Sequence, residues 1–141
     1  MKVEDRPAEP TTLLVVEDDL EMRSLLRDVL QGRGFRVLVE SAGEGAMAVS
    51  ESERLDVVIV DKEMPGLNGL DLLSFFRLRL PDVPVILITA FGGPRVAEEA
   101  FRRGAARYLE KPFRVTDLLS AIRSVTGNMR RSSTPEGRTQ A

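Results

Sequence analysis

Three apolar runs, Leu13-Leu14-Val15-Val16, Val57-Val58-Ile59-Val60 and Val85-Ile86-Leu87-Ile88, each stop abruptly at polar residues. Runs rich in β-branched residues and without polar alternation read as strands covered on both faces, the condition of a parallel sheet flanked by helices. The segments between them have helical spacing. Met22, Leu25, Leu26, Val29 and Leu30 form one apolar stripe, and Gly32 or Gly34 closes that helix before a second strand near residues 35–39. A thinner stripe of Ala42, Ala46 and Val49 marks a second helix over residues 43–52. Asn68 is placed to cap a third helix, in which Leu73, Phe76 and Leu80 face inward; Pro81 ends it and Pro84 opens the next strand. Residues 94–103 give a fourth helix with Val96, Ala97, Ala100 and Phe101 inside and a start loosened by Gly92-Gly93. A last strand, Tyr108-Leu109-Glu110, precedes a fifth helix carrying Leu118, Ile122 and Val125, with Thr116 or Asp117 near its start. The expected fold is α/β: a doubly wound, five-stranded parallel sheet between two helical layers.

One such domain takes up most of the 141 residues. Residues 1–11 and 127–141 are polar and contain Pro7, Pro10, Pro135 and Gly137, so they are expected to be disordered segments around a domain at residues 12–126. A formal net charge of -2 offers no field for nucleic acid, and direct binding to it is not expected. No apolar stretch is long enough for a signal peptide or a membrane span, which gives an expected cytoplasmic location without membrane contact. Neither cysteine nor histidine occurs, which excludes disulfides, thiolate or imidazole metal ligands and Cys or His nucleophiles. Any metal must be held by oxygen.

The strand ends carry the chemistry. In an open α/β sheet, ligands bind beyond the carboxyl ends of the strands. There the chain places Glu17-Asp18-Asp19 after the first run, Asp61 after the second, Thr89-Ala90 after the third and Lys111 after the last strand. Adjacent ionised acids need a cation or a lysine among them. Carboxylates, a main-chain carbonyl and water suit Mg²⁺, which takes one or two carboxylates directly; Asp18 and Asp61 are the expected ligands. A carboxylate so placed can serve as a covalent nucleophile toward a phosphoryl group. Lys111 and Thr89 would then meet the charge spread over the phosphoryl oxygens.

With LLVVEDD, VIVDKEMPGLNGLDLL, VILITA and GAARYLEKPF in this order and at these separations, the chain resembles the receiver domain of bacterial two-component response regulators over about residues 13–125. The resemblance implies a flavodoxin-like three-layer sandwich with strand order 2-1-3-4-5. It implies that Asp61 is the phosphoacceptor, loaded by a histidine kinase or phosphotransfer protein with Mg²⁺ as cofactor. Asp18 and Asp61 would bind the metal directly, Glu63 would give its backbone carbonyl, and Glu17 would act through water. Thr89 and Lys111 would bind the phosphoryl group, Tyr108 would be the aromatic that follows Thr89, and the Lys111-Pro112 bond would be cis. The product would be a switch rather than a metabolic enzyme. Its output would leave through the fourth helix, fifth strand and fifth helix toward a downstream protein or a second copy of the chain. Arg102, Arg103, Arg107 and Arg123 are expected on that face. Two departures stand out: Gly93-Pro94 where many relatives carry an acid, and an acidic Glu63 two residues past the acceptor, a position that tunes dephosphorylation in the family.

Ordinary readings exist for each feature. Glu17-Asp18-Asp19 would suit the start of a helix, Lys111 a solvated surface and Thr89 a plain strand, while Tyr108 would suit half-buried packing. Rival functions are a pseudo-receiver that binds partners without phosphorylation, and a phosphatase or mutase with an aspartyl nucleophile. The first would lack one of the acids or the lysine, and the second needs a substrate-enclosing cap for which the chain has no room. A stand-alone regulator and a piece of a larger regulator or hybrid kinase both remain open.

Overall fold

The computed structural model describes residues 9–132. Strands and helices alternate as β1 (Thr12–Val16), α1 (Leu20–Gly32), β2 (Arg36–Glu40), α2 (Gly43–Ser52), β3 (Val57–Asp61), α3 (Gly69–Arg79), β4 (Val85–Thr89), α4 (Pro94–Arg102), β5 (Arg107–Glu110) and α5 (Val115–Ser132). The strands form one sheet in the order β2-β1-β3-β4-β5, and every pairing is parallel. The doubly wound sheet expected from the sequence, with its strand order, is the one observed.

The two faces of the sheet follow from strand alternation. Leu13, Val15, Val57, Ile59, Ile86 and Ile88 pack with Leu26 and Leu30 of α1 and with Leu118, Leu119, Ile122 and Val125 of α5. Leu14, Val16, Val58, Val60, Val85 and Leu87 pack with Ala46 of α2, with Leu72, Leu73 and Phe76 of α3, and with Ala100 of α4. Each fully covered Leu or Phe adds about 1.5–3 kcal/mol over an exposed one. That is why the three central strands are apolar except at one end, at Thr12, Asp61 and Thr89.

Caps and register fix the carboxyl edge. The Asp19 carboxylate accepts the Met22 amide at 2.8 Å and starts α1, and Asn68 Oδ1 accepts the Leu70 amide at 2.7 Å and starts α3. A Cβ on Gly69 would lie 2.3 Å from the Asp61 carbonyl oxygen and 2.4 Å from Lys62 Cα, so only glycine lets α3 begin this close to the end of β3. Pairing of Val16 with Val60, Asp61 with Ile88 and Thr89 with Glu110 brings the polar strand ends level.

Three helical expectations need correction. Leu25 lies on the α1 stripe yet is 53% exposed, because the sheet is met by Leu26 and Leu30. Phe101, expected inside α4, is 51% exposed and leans on the Tyr108 ring with centroids 6.3 Å apart. The fourth helix has only Ala100 fully inside, since it covers the margin of the sheet next to the short edge strand β5. Finally, α5 runs through Gly127 to Ser132, past the expected domain limit at residue 126; a helical glycine costs about 1 kcal/mol, too little to stop a helix already packed on the sheet. Residues 1–8 and 133–141 of the expected disordered ends lie outside the described residues.

Candidate functional site

Asp61 ends β3 and Glu17 follows β1, side by side at the carboxyl edge and almost sealed from solvent, at 2% and 0% exposure. Lys111, just past β5, spans them: Nζ lies 3.0 Å from Glu17 Oε1 and 3.1 Å from Asp61 Oδ2. The other Asp61 oxygen accepts the Glu63 amide at 3.0 Å. Glu17 Oε2 accepts the Asp19 amide at 3.2 Å, and the Arg23 guanidinium donates to the Glu17 and Asp18 carbonyls at 2.9 and 3.2 Å, fixing the loop that presents both acids. Asp18 is exposed, and one carboxylate oxygen from each of Glu17, Asp18 and Asp61 lies within 4.8 Å of the others.

The charges do not balance within the cluster. Burial, a hydrogen bond with Glu17 and the Glu17 charge push the Asp61 carboxyl up to about 7, against the opposing pull of the Glu63 amide and Lys111. For Lys111, burial works against the ammonium, but its two carboxylate partners outweigh burial and hold its pKa above the ordinary value. One lysine against three acids leaves an all-oxygen, net-negative pocket with an open side at Asp18, the donor set a hard divalent cation prefers. This acidic pocket fits Mg²⁺ and aspartyl phosphorylation.

Thr89 is fully buried at the end of β4, and its hydroxyl donates to the Glu63 carboxylate rather than to the acid cluster. The Ala90 amide donates to the other Glu63 oxygen at 2.8 Å, the Phe91 amide donates to Thr89 Oγ1 at 3.0 Å, and Lys62 Nζ stands 3.2 Å from Glu63 Oε2. Burial alone would raise the Glu63 pKa, but the Thr89 hydroxyl, the Ala90 amide and Lys62 together bring it below the usual value.

Tyr108 is half-buried, its hydroxyl donating to Glu110 Oε2 at 2.8 Å, and the Gly93 amide donates to the same carboxylate oxygen at 2.9 Å. Glu110 thus serves the open start of α4 from the neighbouring strand, where Gly93 has no side chain to do so. A Cβ on Gly92 would sit 2.1 Å from the Tyr108 hydroxyl and 2.4 Å from Glu110 Oε2, so the bare glycine is what admits this contact. Sequence reasoning overlooked Glu110 and Arg23. The signal for Glu110 was its position two residues past Tyr108 on one strand, hence on the same face. The expected arginine group divides: Arg103 turns to Glu99 at 2.6 Å and to Asp71 of α3 at 2.9 Å, and Arg102 pairs with Glu99, while Arg107 and Arg123 are exposed. The Lys111-Pro112 peptide is cis.

The sequence model for the response regulator receiver domain matches residues 13–123. The chain belongs to this family. Receivers are signalling switch domains of two-component response regulators, and phosphoacceptance is general to them. This receiver is 42% identical over 110 residues to the response regulator protein FleR of Pseudomonas aeruginosa, a match over 78% of this chain and 23% of FleR. It spans less than two thirds of the length of the curated relatives it matches first. Among solved structures, a CheY-like receiver from Methanospirillum hungatei superposes with a TM-score of 0.84 over 88% of this chain and 99% of that one, at 22% identity, a likeness of fold. Response regulator TrrA of Thermotoga maritima, solved in complex with Mg²⁺ and BeF, is 31% identical with a TM-score of 0.74 over 82% of this receiver and 98% of TrrA. Among the described residues no helix is long and apolar enough to cross a membrane.

Proposed function

We propose that Asp61 is the phosphoacceptor of this receiver and that a histidine kinase or phosphotransfer protein is the donor. The observation that carries the reading is the buried Asp61 carboxylate held 3.1 Å from Lys111 Nζ, with Glu17 and Asp18 oxygens beside it. In the transfer, an Asp61 oxygen forms the new bond to phosphorus while the bond to the donor's imidazole nitrogen breaks and its electron pair leaves with that nitrogen. Lys111 meets the charge on one phosphoryl oxygen, and the Thr89 hydroxyl and Ala90 amide are the donors for the remaining phosphoryl oxygens. Asp18 and Asp61, the Glu63 carbonyl and Glu17 through water would hold Mg²⁺, which when bound offsets the negative charge of the pocket and of the phosphoryl group.

The receiver proper is assigned to residues 12–126, with α5 continuing beyond it to Ser132, and acts in the cytoplasm as a switch and not as a metabolic enzyme. Output is assigned to the face of α4, β5 and α5, toward a downstream protein or a second copy. Its support is the single fully buried residue of α4 and the Tyr108–Glu110–Gly93 contact at the helix start. Amide exchange with and without beryllofluoride and Mg²⁺ is expected to differ most, outside the pocket, in residues 90–110; changes concentrated in α1 instead would remove this face from the proposal.

Asp18→Ala and Lys111→Ala separate the metal-binding and phosphoryl-binding roles. Asp18→Ala is expected to weaken Mg²⁺ by about tenfold to a hundredfold, the range known for supporting metal-site residues taken as a minimum. Lys111→Ala is expected to keep most Mg²⁺ affinity and to lose the exchange response to the phosphoryl mimic. Calorimetric titration with Mg²⁺ decides the first point, and equal affinity in Asp18→Ala and parent would contradict the assignment.

A further inference from the structure

We infer that the Glu63 carboxylate is an internal occupant of the phosphoryl seat, a competing ligand that must leave before Thr89 and Ala90 can hold a group on Asp61. The inference rests on the reading of Asp61 as phosphoacceptor. Its basis is a two-point contact: one Glu63 oxygen takes the Thr89 hydroxyl and the other takes the Ala90 amide at 2.8 Å. A hydroxyl and an amide have one proton each to give. While both are given to Glu63, neither is available to an oxygen on Asp61, so the two occupants exclude one another.

The contact is built to open. The Glu63 amide is tied to Asp61 Oδ1 at 3.0 Å, which holds its backbone beside the acceptor, so the change falls on the side chain. That side chain is 28% exposed and ends against Lys62 Nζ at 3.2 Å, itself 19% exposed. Rotation toward solvent therefore keeps the Lys62 partner while it frees Thr89 and Ala90. A second anion entering the seat repels the first, and charge-assisted bonds of this kind are stronger than neutral ones. The outcome is a lowered affinity: the apparent Kd at Asp61 is the intrinsic one divided by the fraction of molecules in which the seat is free.

The test uses the full chain at saturating Mg²⁺, titrated with beryllofluoride by calorimetry, and compares the parent with Glu63→Ala and Glu63→Gln. The main-chain carbonyl of residue 63 is kept in both variants. Glu63→Ala is expected to bind the mimic about tenfold more tightly, as for a seat occupied nine times in ten, with Glu63→Gln in between. Without mimic, the amide proton resonance of Ala90 is expected to move upfield in Glu63→Ala; with mimic, parent and variant should coincide at Ala90. Equal affinities together with an unmoved Ala90 resonance would overturn the inference and leave Asp61 as acceptor. Failure of the parent itself to bind beryllofluoride in Mg²⁺ would remove the acceptor assignment and this inference with it.

Discussion

Asp61→Asn is expected to take up no phosphoryl group from a small acyl phosphate donor, in Mg²⁺ or without it, whereas the parent gains one in Mg²⁺ only. The amide has no anionic oxygen to form the bond. No neighbour is placed to substitute: Glu17 is fully buried, with one oxygen on Lys111 and the other on the Asp19 amide. Asp18 is exposed and, among the described residues, has no cationic side chain holding its carboxylate as Lys111 holds Asp61. Intact-mass spectrometry reads the result directly, and a phosphoryl adduct persisting in Asp61→Asn at parental yield would end the assignment.

The same substitution is expected to make the fold more stable, increasingly so as pH rises from about 4 to about 8. The Asp61 carboxyl goes from an ordinary value of 3.8 up to about 7 on folding, because burial and Glu17 disfavour its charge. Below 3.8 the group is protonated in both states and costs nothing. Between the two values the unfolded chain has released a proton that the folded chain still binds, so stability falls as pH rises. Above about 7 the cost is complete. At about 1.4 kcal/mol per pKa unit the loss is on the order of 4 kcal/mol, which Asp61→Asn avoids while leaving Lys111 its Glu17 partner. Urea unfolding in chelator at several pH values checks this. A stability gain that stayed constant with pH, or a variant less stable than its parent at pH 8, would contradict it. Excess Mg²⁺ should narrow the gap by supplying the parent with the positive charge it lacks.

What the sequence made legible is what depends on short range. Four-residue apolar runs announce their own strands, and the residue that ends each run must lie at the sheet edge, which places Glu17, Asp61 and Thr89; Lys111 follows the shorter, mixed strand Tyr108-Leu109-Glu110. The less legible features depend on a partner far along the chain. Glu63 meets Thr89 26 positions away, and Glu110 meets Gly93 17 positions away. Such contacts need the register of two strands and the course of a loop together. Leu25 and Phe101 were misjudged for a related reason: a helical stripe says which residues share a side, and only the neighbouring elements decide how wide a strip they cover.

The site has one hard wall and one soft one. On the β3 side, the Gly69 amide bonds to the Lys62 carbonyl at 2.9 Å and a Cβ on Gly69 would meet the β3 backbone, so the backbone there is closely braced against the start of α3. On the β4 side, Phe91 and the two glycines that follow link the strand to a helix with one buried residue. Two springs of unequal stiffness share a push unequally. On the proposed reading, a change of charge or size at Asp61 would do most of its mechanical work across the sheet, on the segment leading to α4, with β3 as the anvil.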